Sequence, residues 1–122
     1  MDQRTLEIPK EQWPNFLSVI DEQERDKPVR VEFVGPETGD QSAATVVRLR
    51  SISAVTKGSA EGSIEMDLGE DAEFDHRVFT PSHVYAVQST SGMIEYLDIE
   101  EANERKTILR FEEPPKLPLV GS

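Results

Sequence analysis

The chain has 122 residues, a formal charge of −11, no cysteine and 36% hydrophobic residues, enough for one domain with its own apolar core. The lack of cysteine excludes disulfides, thiolate metal sites and a cysteine nucleophile. The charge, −9 of it in residues 61–122, argues against nucleic-acid and anionic-membrane partners, which call for a cationic footprint.

No apolar run approaches the roughly 18 residues that would suggest a membrane span, so a cytoplasmic protein is expected. Residues 5–8 can form a short edge strand before Pro9. Trp13, Phe16, Leu17 and Ile20 then recur at i, i+3, i+4 and i+7, the stripe of an amphipathic helix. The helix is expected over residues 14–24, with Pro14 tolerated in its first turn, residues 21–27 as its solvated end and Pro28 as its stop.

Residues 29–34 (Val-Arg-Val-Glu-Phe-Val) are the first strong strand, with Val29, Val31 and Phe33 on one face and Arg30 and Glu32 on the other. Residues 35–40 read as a hairpin loop. Residues 41–55 form a long strand in which Val47 and Leu49 share a face while Ile52 and Val55 break the parity, the mark of a bulge or bend. After a loop over residues 57–62, Ile64, Met66 and Leu68 alternate with Glu65 and Asp67 in a strand, residues 69–73 make an acidic turn, and residues 74–79 form a strand closed by Pro81. Residues 83–90 and 93–100 form a hairpin across Ser91-Gly92, suited to a primed two-residue turn. A second turn contains Asn103, which tolerates positive φ, and leads into residues 106–111. Pro114, Pro115 and Pro118 then make an extended tail, giving a single domain over residues 1–113 and a tail over residues 114–122.

One helix followed by about seven strands predicts an α+β fold. Its N-terminal amphipathic helix would precede an antiparallel meander curled into a small Sm-like or SH3-like barrel, or into a strongly bent sheet.

Ile8-Pro9, Trp13-Pro14, Phe16-Leu17, Gly35-Pro36, Gly39, Ile52-Ser53, His76 and Leu109-Arg110-Phe111 resemble a family of small, acidic bacterial domains of unknown function, over nearly the whole chain. The resemblance implies a compact cytoplasmic domain and no particular activity. This chain departs from the family pattern at Glu101-Ala102-Asn103-Glu104, where a second glycine-rich turn is usual.

No cofactor or catalytic motif stands out, so no enzyme is expected. His76 and His83 could ligate a metal with nearby carboxylates, but a packed or half-exposed histidine fits Phe74, His76 and Val78 sharing a face. Asp67, Glu70, Asp71, Glu73 and Asp75 lack the spacing of a calcium loop and read as a solvated turn. Arg30, Arg48 and Arg50 read as cross-strand partners of acids, and Trp13 as core. No metal and no cofactor are therefore expected. The last two hairpins carry apolar residues on both faces: Leu97, Ile99, Leu109 and Phe111 suffice for a core, yet Ile94, Tyr96 and Ile108, with Tyr85 or Val87 beside them, occupy the other side, where polar residues belong. That surplus makes Ile94, Tyr96, Ile108 and Tyr85 a candidate homodimer or protein-partner interface. A non-enzymatic interaction domain is the first expectation, and a small-ligand or divalent-ion-binding regulatory module the alternative.

Overall fold

The computed structural model describes residues 3–35, 45–69 and 74–115. Residues 36–40 of the loop expected at 35–40, residues 41–44 of the strand expected over 41–55, the acids Glu70, Asp71 and Glu73, and the tail from residue 116 lie outside the described residues. Strand β1 (Arg4–Glu7) leads through Pro9 and one 3-10 turn (Lys10–Gln12) into helix α1 (Trp13–Glu24). Pro14 stands in the first helical turn, where its missing N–H leaves no hydrogen bond unmade. Trp13, Phe16, Leu17 and Ile20 are buried along one stripe. Trp13 Nε1 also donates to the Ile8 carbonyl at 2.9 Å, tying the start of the helix to the strand before it.

The end of the helix departs from expectation. Within residues 21–27, Glu22, Gln23, Arg25 and Asp26 are exposed as expected, but Glu24 is fully buried; the helix stops where Arg25 turns extended (ψ 131°) and Asp26 takes a left-handed backbone (φ 67°), which aspartate tolerates better than most residues. Asp26 N–H donates to the Leu49 carbonyl at 2.7 Å, and Arg48 Nη1 donates to the Asp26 carbonyl at 2.6 Å. Pro28 therefore falls within the next strand rather than ending the helix, near its start, where proline is tolerated.

Among the described residues seven further strands follow: β2 (Lys27–Val34), β3 (Thr45–Ala54), β4 (Ile64–Leu68), β5 (Phe74–Val78), β6 (Pro81–Gln88), β7 (Ile94–Glu101) and β8 (Lys106–Phe111). They form one antiparallel sheet in the order β1-β6-β7-β8-β2-β3-β4-β5. The single meander is thus two, β2 to β5 and β6 to β8, joined where β8 pairs with β2 (Val31 opposite Leu109). The expected α+β barrel, Sm-like or SH3-like, is overturned. The described residues are mostly sheet with one short helix, and β1 and β5 are the two edges, with no ladder between them among the described residues to close it.

The sheet is nevertheless bent. In a flat sheet with strands about 4.8 Å apart, β5 and β8, four places apart, would be separated by about 19 Å. Instead His76 Nε2 on β5 lies 3.1 Å from Thr107 Oγ1 on β8, and the His76 ring lies 4.5 Å from the ring of Phe33 on β2. Two halves of one sheet therefore face each other across a shared core. The bend has a local device in β3, where the pairing with β4 shifts between Leu49 and Ser51. The extra residue brings both Leu49 and Ile52 to the core, as their broken parity implies. Helix α1 packs mainly on β3, and Asp21 Oδ1 accepts the Ile52 N–H at 2.9 Å beside this bulge.

The inner faces hold Val29, Val31, Leu49, Ile52, Ile64, Met66, Leu68, Val84, Ala86, Leu97, Ile99 and Leu109, which cluster with the helix stripe. Each large aliphatic buried there contributes about 1.5–3 kcal/mol. Both C-terminal turns differ from expectation. The first is a three-residue loop: Gly92 N–H returns to the Ser89 carbonyl (3.0 Å), Ser89 N–H meets the Met93 carbonyl (2.9 Å), and Gly92 takes φ 92°, a turn followed by a left-handed residue. The second repeats the plan with Glu104 rather than Asn103 at positive φ (68°). Asn103 Oδ1 instead accepts the Arg105 N–H at 3.3 Å.

Candidate functional site

Alternation from Tyr96 outward fixes what the outer face of β6, β7, β8 and β2 displays. Across the strands, Val87, which is buried, Tyr96, Arg110 and Arg30 form one row and Tyr85, Asp98, Ile108 and Glu32 the next, with Glu100 opposite Lys106 beyond them. The Arg110 guanidinium lies over the Tyr96 ring at 4.3 Å, and the rings of His83 and Tyr85 stack at 5.6 Å. Val46, beside Arg30, is 48% exposed.

Of the four residues expected at an interface, Tyr85, Tyr96 and Ile108 share this face and are half-buried. Ile94 does not join them. The β6–β7 pairing slips between Val87 and Gln88, leaving Glu95 with no residue opposite it on β6. Ile94 is fully buried in the core cluster, and its N–H donates to the Pro115 carbonyl at 2.8 Å. Strict alternation from Tyr96 put it on the wrong side because a bulge changes parity.

The face is electrostatically divided. Glu7 lies on β1 and Asp98 and Glu100 on β7, whereas Lys106 and Arg110 lie on β8, Arg30 on β2 and Arg48 on β3. Asp98 Oδ1 is shut away from solvent with no hydrogen-bond partner among the described residues. Burial raises the Asp98 carboxyl, Glu100 adds to that effect, and Lys106 opposes it. Burial also raises the Tyr85 phenol, with Glu7, Glu100 and Asp98 contributing. The ion pairs of the basic side are long, Arg30 with Glu112 at 3.6 Å and Arg110 with Glu32 at 4.0 Å, and both arginines are over 40% exposed. Such pairs contribute little to stability. Periodicity pointed to the tyrosines and Ile108; the division of charge emerges only once the strand order is known.

The other candidate residues do not converge. His76 faces inward, while His83 is exposed on the outer face with Nδ1 2.7 Å from Glu7 Oε2, so the two histidines share no ligand sphere. Asp67 and Asp75 stand opposite each other across β4 and β5, and their hydrogen bond and mutual repulsion raise the Asp75 carboxyl. Ser51 Oγ donates to Asp67. A cavity of about 90 Å³ lies here, lined by Glu65, Met66, Asp67, Asp75, His76 and Arg77, small against the roughly 300–1,000 Å³ of ordinary ligand sites. Among the described residues no three His, Asp or Glu side chains group so as to hold a metal ion. Arg50 is drawn out of the arginine row by the β3 bulge and pairs with Asp26 at 2.9 Å. Trp13, 3% exposed, belongs to the core.

No helix among the described residues is long and apolar enough to cross a membrane. The chain is 28% identical over 115 residues to an uncharacterized protein of Aquifex aeolicus (strain VF5), covering 94% of this chain and 96% of that relative. No solved structure matches it. A family model matches residues 4–120, and the chain belongs to the family of unknown function DUF5335.

Proposed function

We propose that the chain is a non-enzymatic interaction domain that self-associates, the outer face of β6, β7, β8 and β2 packing against the same face of a second copy. The observation that carries this reading is the division of charge around Tyr85, Tyr96 and Ile108. Acidic Glu7, Asp98 and Glu100 flank one side; basic Lys106, Arg110, Arg30 and Arg48 flank the other, with Glu32 and His83 as exceptions.

A two-fold axis running along the strands between β7 and β8 lays each acidic flank over the partner copy's basic flank, with Glu100 opposite Lys106 and Tyr96 opposite Arg110. A closed, self-complementary pairing of this kind is the commonest oligomer symmetry, and opposed charges fix its register. The tyrosines suit such a face, with a large apolar body and a hydroxyl for the rim. The long pairs of Arg30 and Arg110 can be exchanged for intermolecular ones with little loss.

Sedimentation equilibrium tests the arrangement. The parent chain sediments as a dimer, Lys106→Glu shifts it toward monomer, and adding Glu100→Lys restores the dimer by recreating the opposed pair with reversed sign. A monomeric parent, or a Lys106→Glu dimer of unchanged strength, contradicts the reading.

A further inference from the structure

Glu24 closes α1 with its side chain fully buried, and neither carboxyl oxygen has a hydrogen-bond partner among the described residues. Asp21, nearly one turn earlier, shows the usual arrangement: it accepts the Ile52 N–H and pairs with Arg25. A buried carboxylate without donors is strongly disfavoured, and the neutral acid much less so. The carbonyls at the end of the helix add negative potential at the same place.

Charged groups act on Glu24 from two neighbouring segments. Lys27, at the start of β2, favours the carboxylate, and Glu113, beyond β8, opposes it. On β3, Arg48 and Arg50 reach toward Asp26. Burial, the largest effect, together with Glu113 outweighs Lys27 and pushes the Glu24 carboxyl up to about 7.

We propose that Glu24 is a proton-sensitive latch: as the neutral acid it keeps the end of α1 closed beside residues 112–115, and on ionising it releases that segment from the sheet. Two backbone hydrogen bonds hold the segment, Glu112 N–H to the Pro28 carbonyl (3.3 Å) and Ile94 N–H to the Pro115 carbonyl (2.8 Å). An ionised Glu24 must reach water, and its repulsion from Glu113 drives the two apart. The sign follows from linkage. Between the ordinary carboxyl range and about 7 the closed state binds more protons than the open one, so rising pH favours opening. The latch needs no second copy of the chain; it shares with the self-association face only the neighbourhood of Arg48 and the long Arg30–Glu112 pair (3.6 Å), which contributes little.

Hydrogen exchange of the full chain from pH 5 to pH 8, corrected for intrinsic rates, tests it. In the parent, protection at the Ile94 and Glu112 amides falls by about 50- to 100-fold over this range, and at pH 8 both exchange faster than the Leu109 amide, which reports global opening. Glu24→Gln, isosteric and uncharged, abolishes the pH-dependent fall. The Glu24 carboxyl ¹³C resonance titrates near pH 7, moving lower in Glu113→Gln and higher in Lys27→Gln. A fall that survives Glu24→Gln, a carboxyl titrating in the ordinary range, or amides that never exchange faster than Leu109 would each overturn the latch.

Discussion

Leu109 and Ile108 are neighbours on one central strand, yet they belong to two different surfaces. Leu109 is fully buried between Val31 and Leu97 on the inner face; Ile108 is half-buried on the outer face between Asp98 and Glu32. The inner face is almost uniformly apolar, because apolar area removed from water is its main source of stability. Outside, aromatic, aliphatic and charged groups alternate, an arrangement poor for a core and apt for a contact with a polar rim. The inner face therefore maintains the fold, whereas the outer face is the surface proposed to self-associate.

The sharpest contrast should come from truncating each side in turn. Trp13→Ala removes the aromatic at the head of the helix stripe together with its hydrogen bond to Ile8, and chemical denaturation should show a loss of about 3–5 kcal/mol. Leu109→Ala should cost about 2–5 kcal/mol. Ile108→Thr, one residue away, should cost under about 1 kcal/mol in the monomer, since it opens no cavity in the core. Equal losses at Leu109 and Ile108 would erase the distinction between the faces.

Glu24 breaks the rule of the inner side, and its contribution should depend on pH. Its carboxyl is raised to about 7 by burial, so stability should fall as pH rises from about 5 toward 7 and then level off, by up to about 3 kcal/mol. Glu24→Gln should flatten that profile in urea denaturation, and a parent more stable at pH 8 than at pH 5 would reverse the sign.

The smallest effect concerns the turn that sets which side of β8 faces inward. Glu104 occupies a left-handed position without being glycine, where glycine carries no steric cost. Glu104→Gly should raise stability by about 0.5–1 kcal/mol and leave the β7–β8 register, read from cross-strand proton contacts, unchanged. A loss of stability would mean that the Glu104 side chain matters more than its backbone.

Much of this contrast is legible in local pattern. The helix stripe, the alternation in β2, β4 and β8, and the β3 bulge follow from side-chain periods of 3.6 and 2. Non-local geometry is not legible in this way. Pairing of β8 with β2 joins strands from opposite ends of the chain and makes one sheet of two meanders, leaving β1 and β5 as its edges. The inward turn of Ile94 depends on a slip against β6, and the burial of Glu24 on how the helix end meets β2 and the segment after β8. None of these leaves a periodic trace. Tyr85, Tyr96 and Ile108 were visible as surplus apolar residues, whereas the acidic and basic flanks around them required the strand order.

Solution mass tests the central claim most directly. Sedimentation of the parent and of a Tyr96→Ser, Ile108→Thr double variant, together with their melting temperatures, separates a recognition face from a second core. A dimeric parent and a folded, monomeric double variant that melts within a few degrees of it at low concentration are the predicted results. A monomeric parent that unfolds when Tyr96 and Ile108 are replaced would contradict the account and place both residues in an ordinary two-sided core.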